Sequence, residues 1–239
     1  MVSELKTQGA WTVFDLTAEL RILFSGGIES AVLMGEAVLA GLKPIPVYVS
    51  TGTRWENREL ESAKLYLESL QVGLSDKMVI RESIPGKIKE HWAYNGMSYP
   101  LAEEDVKTLK IPGRNETLLR EAVSFGRDDH ELILTIGTTS DNPFKDGNRQ
   151  FFDKMETALT MERGEHVTIL TPLTGLKKSD VINRGKGFPL GLTLSCIAPH
   201  DGGACGDCIK CGSRAAAFSE AGVIDNYVKE EVNEFKGWR

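Results

Sequence analysis

Apolar positions along the chain fall into two alternating patterns: short unbroken runs, and longer stretches with helical spacing. Residues 11–24 hold two short apolar stretches, and the second, Leu20-Arg21-Ile22-Leu23-Phe24, stops at a Ser-Gly-Gly turn, as a buried strand does. From Glu29 to Leu42 the apolar positions become Ala31, Val32, Leu33, Ala37, Val38 and Leu39, with good helix formers between them and Gly41 near the end. That spacing predicts a helix. Ile45 to Ser50 reads as a second strand, with Pro44 and Pro46 at its start, where a missing ladder donor is tolerated. Arg54 to Leu70 returns to helical spacing through Leu60, Ala63, Leu65, Tyr66 and Leu70, and Met78-Val79-Ile80 predicts a shorter strand. Residues 84–112 are irregular, with Trp92, Tyr94 and Tyr99 among Gly96 and Pro100, and read as a covering loop whose aromatics serve packing or base stacking. A helix over Glu116 to Phe125, strands over Glu131 to Gly137 and Val167 to Leu173, and a helix from near Lys178 complete the series.

Strands alternating with helices predict an α/β fold, a parallel sheet layered by helices, with ligands held at the carboxyl ends of the strands. No internal repeat or low-complexity linker interrupts it. The 239 residues, 26% charged and 41% hydrophobic, are those of a soluble globular protein, and no apolar run is long enough to span a bilayer. Residues 1–10 lack the basic start, apolar stretch and cleavage site of a secretion signal, so a cytoplasmic location is the expectation, without a membrane partner. A net charge of -6 argues against broad nucleic-acid binding, which draws its affinity from neutralised phosphates.

The turn Ser25-Gly26-Gly27-Ile28-Glu29-Ser30 places two glycines and two serines between a strand and a helix. Glycines let backbone N–H groups approach an anion, and the helix amino terminus adds free donors and a partial positive charge. The same fragment also serves as a bare strand-to-helix connection. It is not a Walker-type loop, since no Gly-x-x-x-x-Gly-Lys-Ser/Thr occurs. It resembles instead the SGGxDS loop of the adenine nucleotide alpha-hydrolase superfamily, the PP-loop ATP pyrophosphatases. In that superfamily the loop holds the pyrophosphate part of ATP while a nucleophile attacks the α-phosphate. Glu29 stands here where the usual residue is Asp.

The cysteines follow Cys196-x8-Cys205-x2-Cys208-x2-Cys211, all within sixteen residues. Four thiolates at such spacing suit tetrahedral zinc. An iron–sulfur cluster accepts the same ligands, and two disulfides are the least favoured reading. Four protein ligands leave no open position, so the expected metal is structural and fixes the loop Ser195 to Gly212. His200 and Asp201 lie inside that loop, facing solvent or the outer sphere of the metal, with substrate contact by His200 the alternative. The expected division is a nucleotide-binding α/β domain over 1–190 and a four-cysteine zinc-binding region with its tail over 191–239.

Further segments resemble the 7-cyano-7-deazaguanine synthase (QueC) family. Ile111-Pro112-Gly113-Arg114-Asn115 is similar to its VPGRN segment. Ile136-Gly137-Thr138 opens the region where family members read IGVNAEDYSGYPDCR, and continues here through Asp141 and Asp146 to Arg149 with partly corresponding acidic and arginine positions. Pro172-Leu173 through Lys177-Lys178-Ser179-Asp180-Val181 looks like PLIHLTKAEIV, which matches Lys178 to the family lysine. Leu194-Ser195-Cys196, the Cys205 to Cys211 segment and Arg214-Ala215-Ala216-Ala217-Phe218 follow the family's ending. The likeness runs over about residues 20–227. A departure lies after the second strand, where Ser50-Thr51-Gly52-Thr53-Arg54-Trp55 replaces a stretch like Tyr-Gly-Gln-Arg-His.

The resemblance implies that 7-carboxy-7-deazaguanine is adenylated on its carboxylate, that ammonia displaces AMP, and that a second ATP activates the resulting amide before its loss to the nitrile. It implies ATP, Mg2+ and structural Zn2+ as cofactors, and a homodimer. The turn Ser25 to Ser30, with Gly113, Arg114, Asn115, Gly137 and Thr138, would bind the nucleotide; Lys178, Arg114 and Glu29 would be catalytic; Asp146 and Arg149 would hold the substrate. Each has a plainer role open to it. Asn115 also suits a helix cap, Asp146 and Arg149 a turn, Thr138 a strand end, and an isolated Arg or Lys a solvated surface. Two other functions stay open: adenylation with another amine as acceptor, on a protein or other macromolecule, and a zinc-stabilised nucleotide-binding module without turnover.

Overall fold

The computed structural model describes residues 18–83, 90–96, 98–126, 131–200 and 203–227. The first apolar stretch after residue 11, the amino-terminal segment and Asp201 lie outside them. Among the described residues, five parallel strands form one sheet in the order β3-β2-β1-β4-β5. These are β1 (Glu19–Leu23), β2 (Ile45–Ser50), β3 (Val79–Glu82), β4 (Leu132–Thr135) and β5 (Val167–Leu170). The helices are α1 (Ile28–Leu39), α2 (Glu56–Ser69), α3 (Trp92–Asn95), α4 (Arg114–Val123), α5 (Arg149–Arg163), α6 (Lys178–Arg184) and α7 (Ile209–Ala221).

Alternation along β1 separates two cores. Ile22 faces α1, α2, α6 and α7, where Ala31, Val32, Leu33, Tyr66, Val181 and Phe218 are buried together. Leu23 faces the other side, packed with Leu119 of α4, Phe152 and Leu159 of α5, and Val47, Leu134 and Ile169 of the sheet. Arg21 shares that second face. Its buried guanidinium is taken up by Glu19 (2.6 Å) and the carbonyls of Ala122 and Phe125 (2.7 Å each). No helix among the described residues is long and apolar enough to cross a membrane.

Two helices escape the apolar pattern. In α5 the core residues Phe152, Met155 and Leu159 sit on a narrow stripe in an otherwise polar segment. Its ends are set instead by Asn148, whose side chain accepts from the Phe151 N–H (2.9 Å), and by Gly164 at φ 80°, a glycine-favoured left-handed cap. In α7 the cap is Cys208, and Arg214 is buried in the middle.

Arg214 joins α7 to the segment before the cysteines. It donates to the carbonyls of Thr193 (2.9 Å) and Leu190 (3.0 Å), the Thr193 hydroxyl (2.8 Å) and both Asp225 oxygens (2.7 and 2.8 Å). Arg214→Ala leaves these acceptors without their donor, and a loss of ~3–5 kcal/mol in urea unfolding is expected.

The third buried cluster lies beyond the strand ends and unites Trp55, Ala93 and Ile111 with Leu194, Cys196, Cys208 and Ile209. Trp55 and Trp92 stack there, with ring centroids 5.7 Å apart. The described part of the segment read as a covering loop is packed against the cysteine region, with Ala102 N–H donating to the Asp207 carbonyl (2.9 Å) and Ile209 N–H to that of Pro100 (3.0 Å).

Candidate active site

The strand order reverses between β1 and β4, and in open parallel sheets ligands bind in the crevice outside such a switch point. The Ser25 to Ser30 turn leaves β1 there, and Ile136-Gly137-Thr138 leaves β4 beside it. A cavity of about 360 Å3 opens over both.

Close backbone approach builds the turn. Gly26 has φ 73°, and a Cβ on it would lie 2.8 Å from the Ala63 nitrogen of α2. A Cβ on Gly137 would lie 2.8 Å from the Glu29 Cβ and 3.3 Å from the Ser30 nitrogen, so β4 can press against the start of α1 only with glycine at that position. Gly137→Ala is expected to push the turn off the strand end and to cut turnover by roughly a hundredfold with the fold retained, as read by steady-state kinetics and circular dichroism. Gly27 occupies the amino-terminal cap of α1 without a side-chain capping bond, at a helix end whose first amides have no partner inside the helix.

Ser25, Gly27, Glu29 and Ser30 line the cavity, as do Arg114, Asn115, Gly137, Thr138, Asp146 and Lys178. Gly26 and Ile28 shape the turn from behind, Ile28 inside the core. Gly113, at φ 73°, starts α4 and brings Arg114 to the wall. Asn115 does not cap that helix; it donates to the Asp146 carbonyl (2.9 Å) and ties the two segments together. Thr138 donates to the Gly147 carbonyl (3.3 Å) and accepts from Asn142 (3.2 Å). Arg149 is not brought to the cavity. Its guanidinium is held by Asp153 (2.8 Å), Glu156 (3.6 Å) and the Ile169 carbonyl (2.7 Å) at the end of β5. His200 is exposed and also stands off the cavity wall.

Charge inside the cavity is organised about one ion pair. Lys178 Nζ lies 2.8 Å from Glu29 Oε1, with both side chains mostly buried. Burial opposes ionisation of Glu29, but the Lys178 ammonium and then Lys210 outweigh it and hold the carboxyl below its ordinary range. Lys178 is set in place at the first position of α6, where Asp141 accepts its backbone N–H (2.7 Å). The Nε of Arg114 is buried without a hydrogen-bond partner.

Asp141, Glu59 and Lys210 are among the polar residues of this wall to which the sequence assigned no role. Asp141 is the anchor just described. Glu59 projects from the first turn of α2, where one oxygen accepts from the Tyr48 hydroxyl (3.0 Å), and burial raises its pKa. Its signal was an acid on the same stripe as Ala63, Tyr66 and Leu70. Lys210 enters from between the last two cysteines, and burial followed by the like charge of Lys178 pulls its ammonium down to about 8.

The four cysteine sulfurs all lie within 4.8 Å of one another, with Cys196 to Cys205 at 3.5 Å and Cys205 to Cys211 at 3.9 Å. Tetrahedral zinc with Zn–S bonds of about 2.3 Å sets its sulfurs about 3.8 Å apart, so the donor set fits that ion. Backbone N–H groups of Cys205 and Cys211 point at the Cys196 and Cys208 sulfurs (3.3 and 3.4 Å), as donors to thiolates do. The centre is coupled to the Ser25 to Ser30 turn. Leu194 N–H, two residues before the first ligand, donates to the Gly26 carbonyl (3.0 Å).

Curated relatives align along nearly the whole of this architecture. The chain is 27% identical over 213 residues to a 7-cyano-7-deazaguanine synthase of Leptospira interrogans, covering 85% of this chain and 88% of the relative. It is 28% identical over 216 residues to the 7-cyano-7-deazaguanine synthase of Geobacter sp. (85% and 94% covered). A third relative of that name, from Methanosphaerula palustris, is 28% identical over 225 residues, with 87% and 98% covered. Residues 20–222, from the first strand past the cysteine cluster, match the family described as Queuosine biosynthesis protein QueC, and the chain is an enzyme belonging to that family.

Proposed function

We propose that the chain uses ATP to adenylate the carboxylate of 7-carboxy-7-deazaguanine and, with ammonia, converts it to 7-cyano-7-deazaguanine. The observation that carries this reading is the uncapped Ser25 to Ser30 turn at the strand-order reversal, facing the Lys178–Glu29 pair inside one cavity. The names of the curated relatives supply the product class, and the carboxylate substrate is the one the family resemblance implies.

The substrate carboxylate oxygen attacks the α-phosphorus, and the bond to the β-phosphate breaks with release of pyrophosphate. Ammonia then attacks the acyl carbon, AMP leaves and an amide forms. The amide oxygen then attacks the α-phosphorus of a second ATP, with release of pyrophosphate and a proton, and loss of AMP with a second proton gives the nitrile. Negative charge that grows on the phosphate oxygens meets the turn amides, Lys178 and Arg114. The buried, partnerless Arg114 Nε accords with a guanidinium awaiting an anion. Mg2+ would supply further charge neutralisation when bound with ATP, and Glu29 and Asp141 are the nearby carboxylates with the chemistry to hold it. Zinc on the four cysteines has a structural part, keeping Leu194 against Gly26.

The test is to incubate the metal-loaded protein with ATP, Mg2+ and 7-carboxy-7-deazaguanine, with and without ammonia, and to identify products by mass. Formation of the nitrile only with ammonia is expected. Pyrophosphate released without any nitrile would favour a second reading, in which another amine captures the acyl group. That reading draws on Trp55, which lines the cavity from the stretch that departs from the family. No pyrophosphate with any arm would overturn both.

A further inference from the structure

We infer that Lys210 is a further catalytic cation, carried into the site by the metal-binding loop to contact anionic phosphate oxygens of ATP. The inference rests on the ATP-dependent reading above and extends it to a residue that no matching motif assigns.

Lys210 lies between the ligands Cys208 and Cys211, at the start of α7, and lines the cavity with Ser195 and Cys196 of the same loop and Ser213 of α7. Among the described residues its Nζ has no hydrogen bond and no ion pair. The acids near enough to act on it electrostatically are Glu29 and Glu59. Glu29 is engaged by Lys178 at 2.8 Å, and Glu59 by the Tyr48 hydroxyl at 3.0 Å. Two more cations, Lys178 and Arg114, act on Lys210 from the same cavity. An ammonium on the cavity wall that donates to no group of the fold keeps its three hydrogen-bond donors open to an anionic ligand.

Position selects the phosphates as that ligand. The loop bearing Lys210 is bound to the phosphate turn through Leu194 and Gly26, and a Cβ on Gly27 would stand 3.8 Å from the Leu194 carbonyl. Lys210 and the turn line the same cavity. Turn amides, Lys178 and Lys210 would surround a tri- or pyrophosphate from three elements. The metal has a direct consequence for the chemistry, because the ligands on either side of Lys210 fix the backbone that aims it.

The experiment compares wild type, Lys210→Met and Lys210→Arg as metal-loaded protein. MgATP and inorganic pyrophosphate affinities are measured by calorimetry, and carboxylate-dependent ATP–pyrophosphate exchange by isotope, alongside metal content and melting temperature. Lys210→Met is expected to weaken pyrophosphate and ATP binding about tenfold or more and to slow exchange about a hundredfold. Metal content should hold and the melting temperature should stay within a few degrees, since no hydrogen bond or ion pair of the fold is removed. Lys210→Arg should recover part of the loss. A loss in affinity alone or in exchange alone also supports contact, in the ground state or the transition state respectively. Affinities within about twofold together with exchange within about threefold overturn the inference, as does loss of metal or a melting temperature several degrees lower, which assigns Lys210 to folding of the loop. Wild type that binds ATP but shows no exchange with 7-carboxy-7-deazaguanine refutes the proposed substrate, while the two ATP affinities still decide Lys210.

Discussion

Cys208→Ala is expected to release the bound metal, lower the melting temperature by roughly 10–15 °C and abolish adenylation. The temperature follows from a loss of ~3–5 kcal/mol in a chain of this length. Cys208 is fully buried, caps α7 by accepting the Cys211 N–H, and belongs to the cluster that includes Trp55, Ala93 and Leu194. Three remaining thiolates cannot complete a tetrahedron, so the loop loses its closure. Its release frees Leu194 from Gly26 and withdraws Lys210 from the wall, which is why activity should fall further than stability. Metal content by atomic emission, thermal melting and pyrophosphate exchange measure the three parts, and chelation of the wild type should reproduce them. Unchanged melting with metal lost would refute a structural centre.

Lys178→Met is expected to lower kcat by about a hundredfold to a thousandfold, the usual cost of losing one charged donor at a developing phosphate charge. It also isolates Glu29 among buried groups, and a destabilisation of ~3 kcal/mol near neutral pH is expected. The pH dependence has a definite sign. The Glu29 carboxyl titrates below its ordinary value in the folded chain, so the pair stabilises fully above that value and its contribution fades as the pH falls through the lowered pKa. In Lys178→Met, burial becomes the leading influence and raises the carboxyl instead, so the variant should gain stability relative to wild type as the pH drops. Urea unfolding from pH 7 to 4 checks this. Glu29→Gln added to Lys178→Met should restore stability without restoring turnover. A double variant as active as wild type would remove both residues from the chemistry.

Local order in the chain carries much of the fold. Strands β1, β2, β4 and β5 announce themselves as apolar runs because both faces of a parallel sheet are covered, leaving no polar alternation to confuse the pattern. Ends are less legible: β4 and β5 stop at Thr135 and Leu170, before the apolar runs do, since Ile136 and Leu173 are buried by packing after the ladder ends. Helix α5 was hidden for the opposite reason. Its surface is so polar that only Asn148, Gly164 and the stripe of Phe152, Met155 and Leu159 mark it.

The site divides in the same way. A glycine turn between strand and helix, and thiolates at ligand spacing, depend on neighbours a few residues away, so their chemistry can be read directly from the sequence. Arg149 looked like a substrate clamp because motif position says nothing of what Asp153, Glu156 and Ile169 do to a guanidinium in three dimensions. Lys210 was silent, and Glu59 showed only as an acid on an apolar stripe, because each gains its place from distant segments. By itself, then, the sequence determined the parallel sheet, the glycine turn between β1 and α1 and the grouping of the four cysteines, all products of short-range spacing. Only the tertiary structure decided which cations reach the cavity and which are spent on the scaffold, because that depends on the acceptors and buried surfaces that remote parts of the chain bring together.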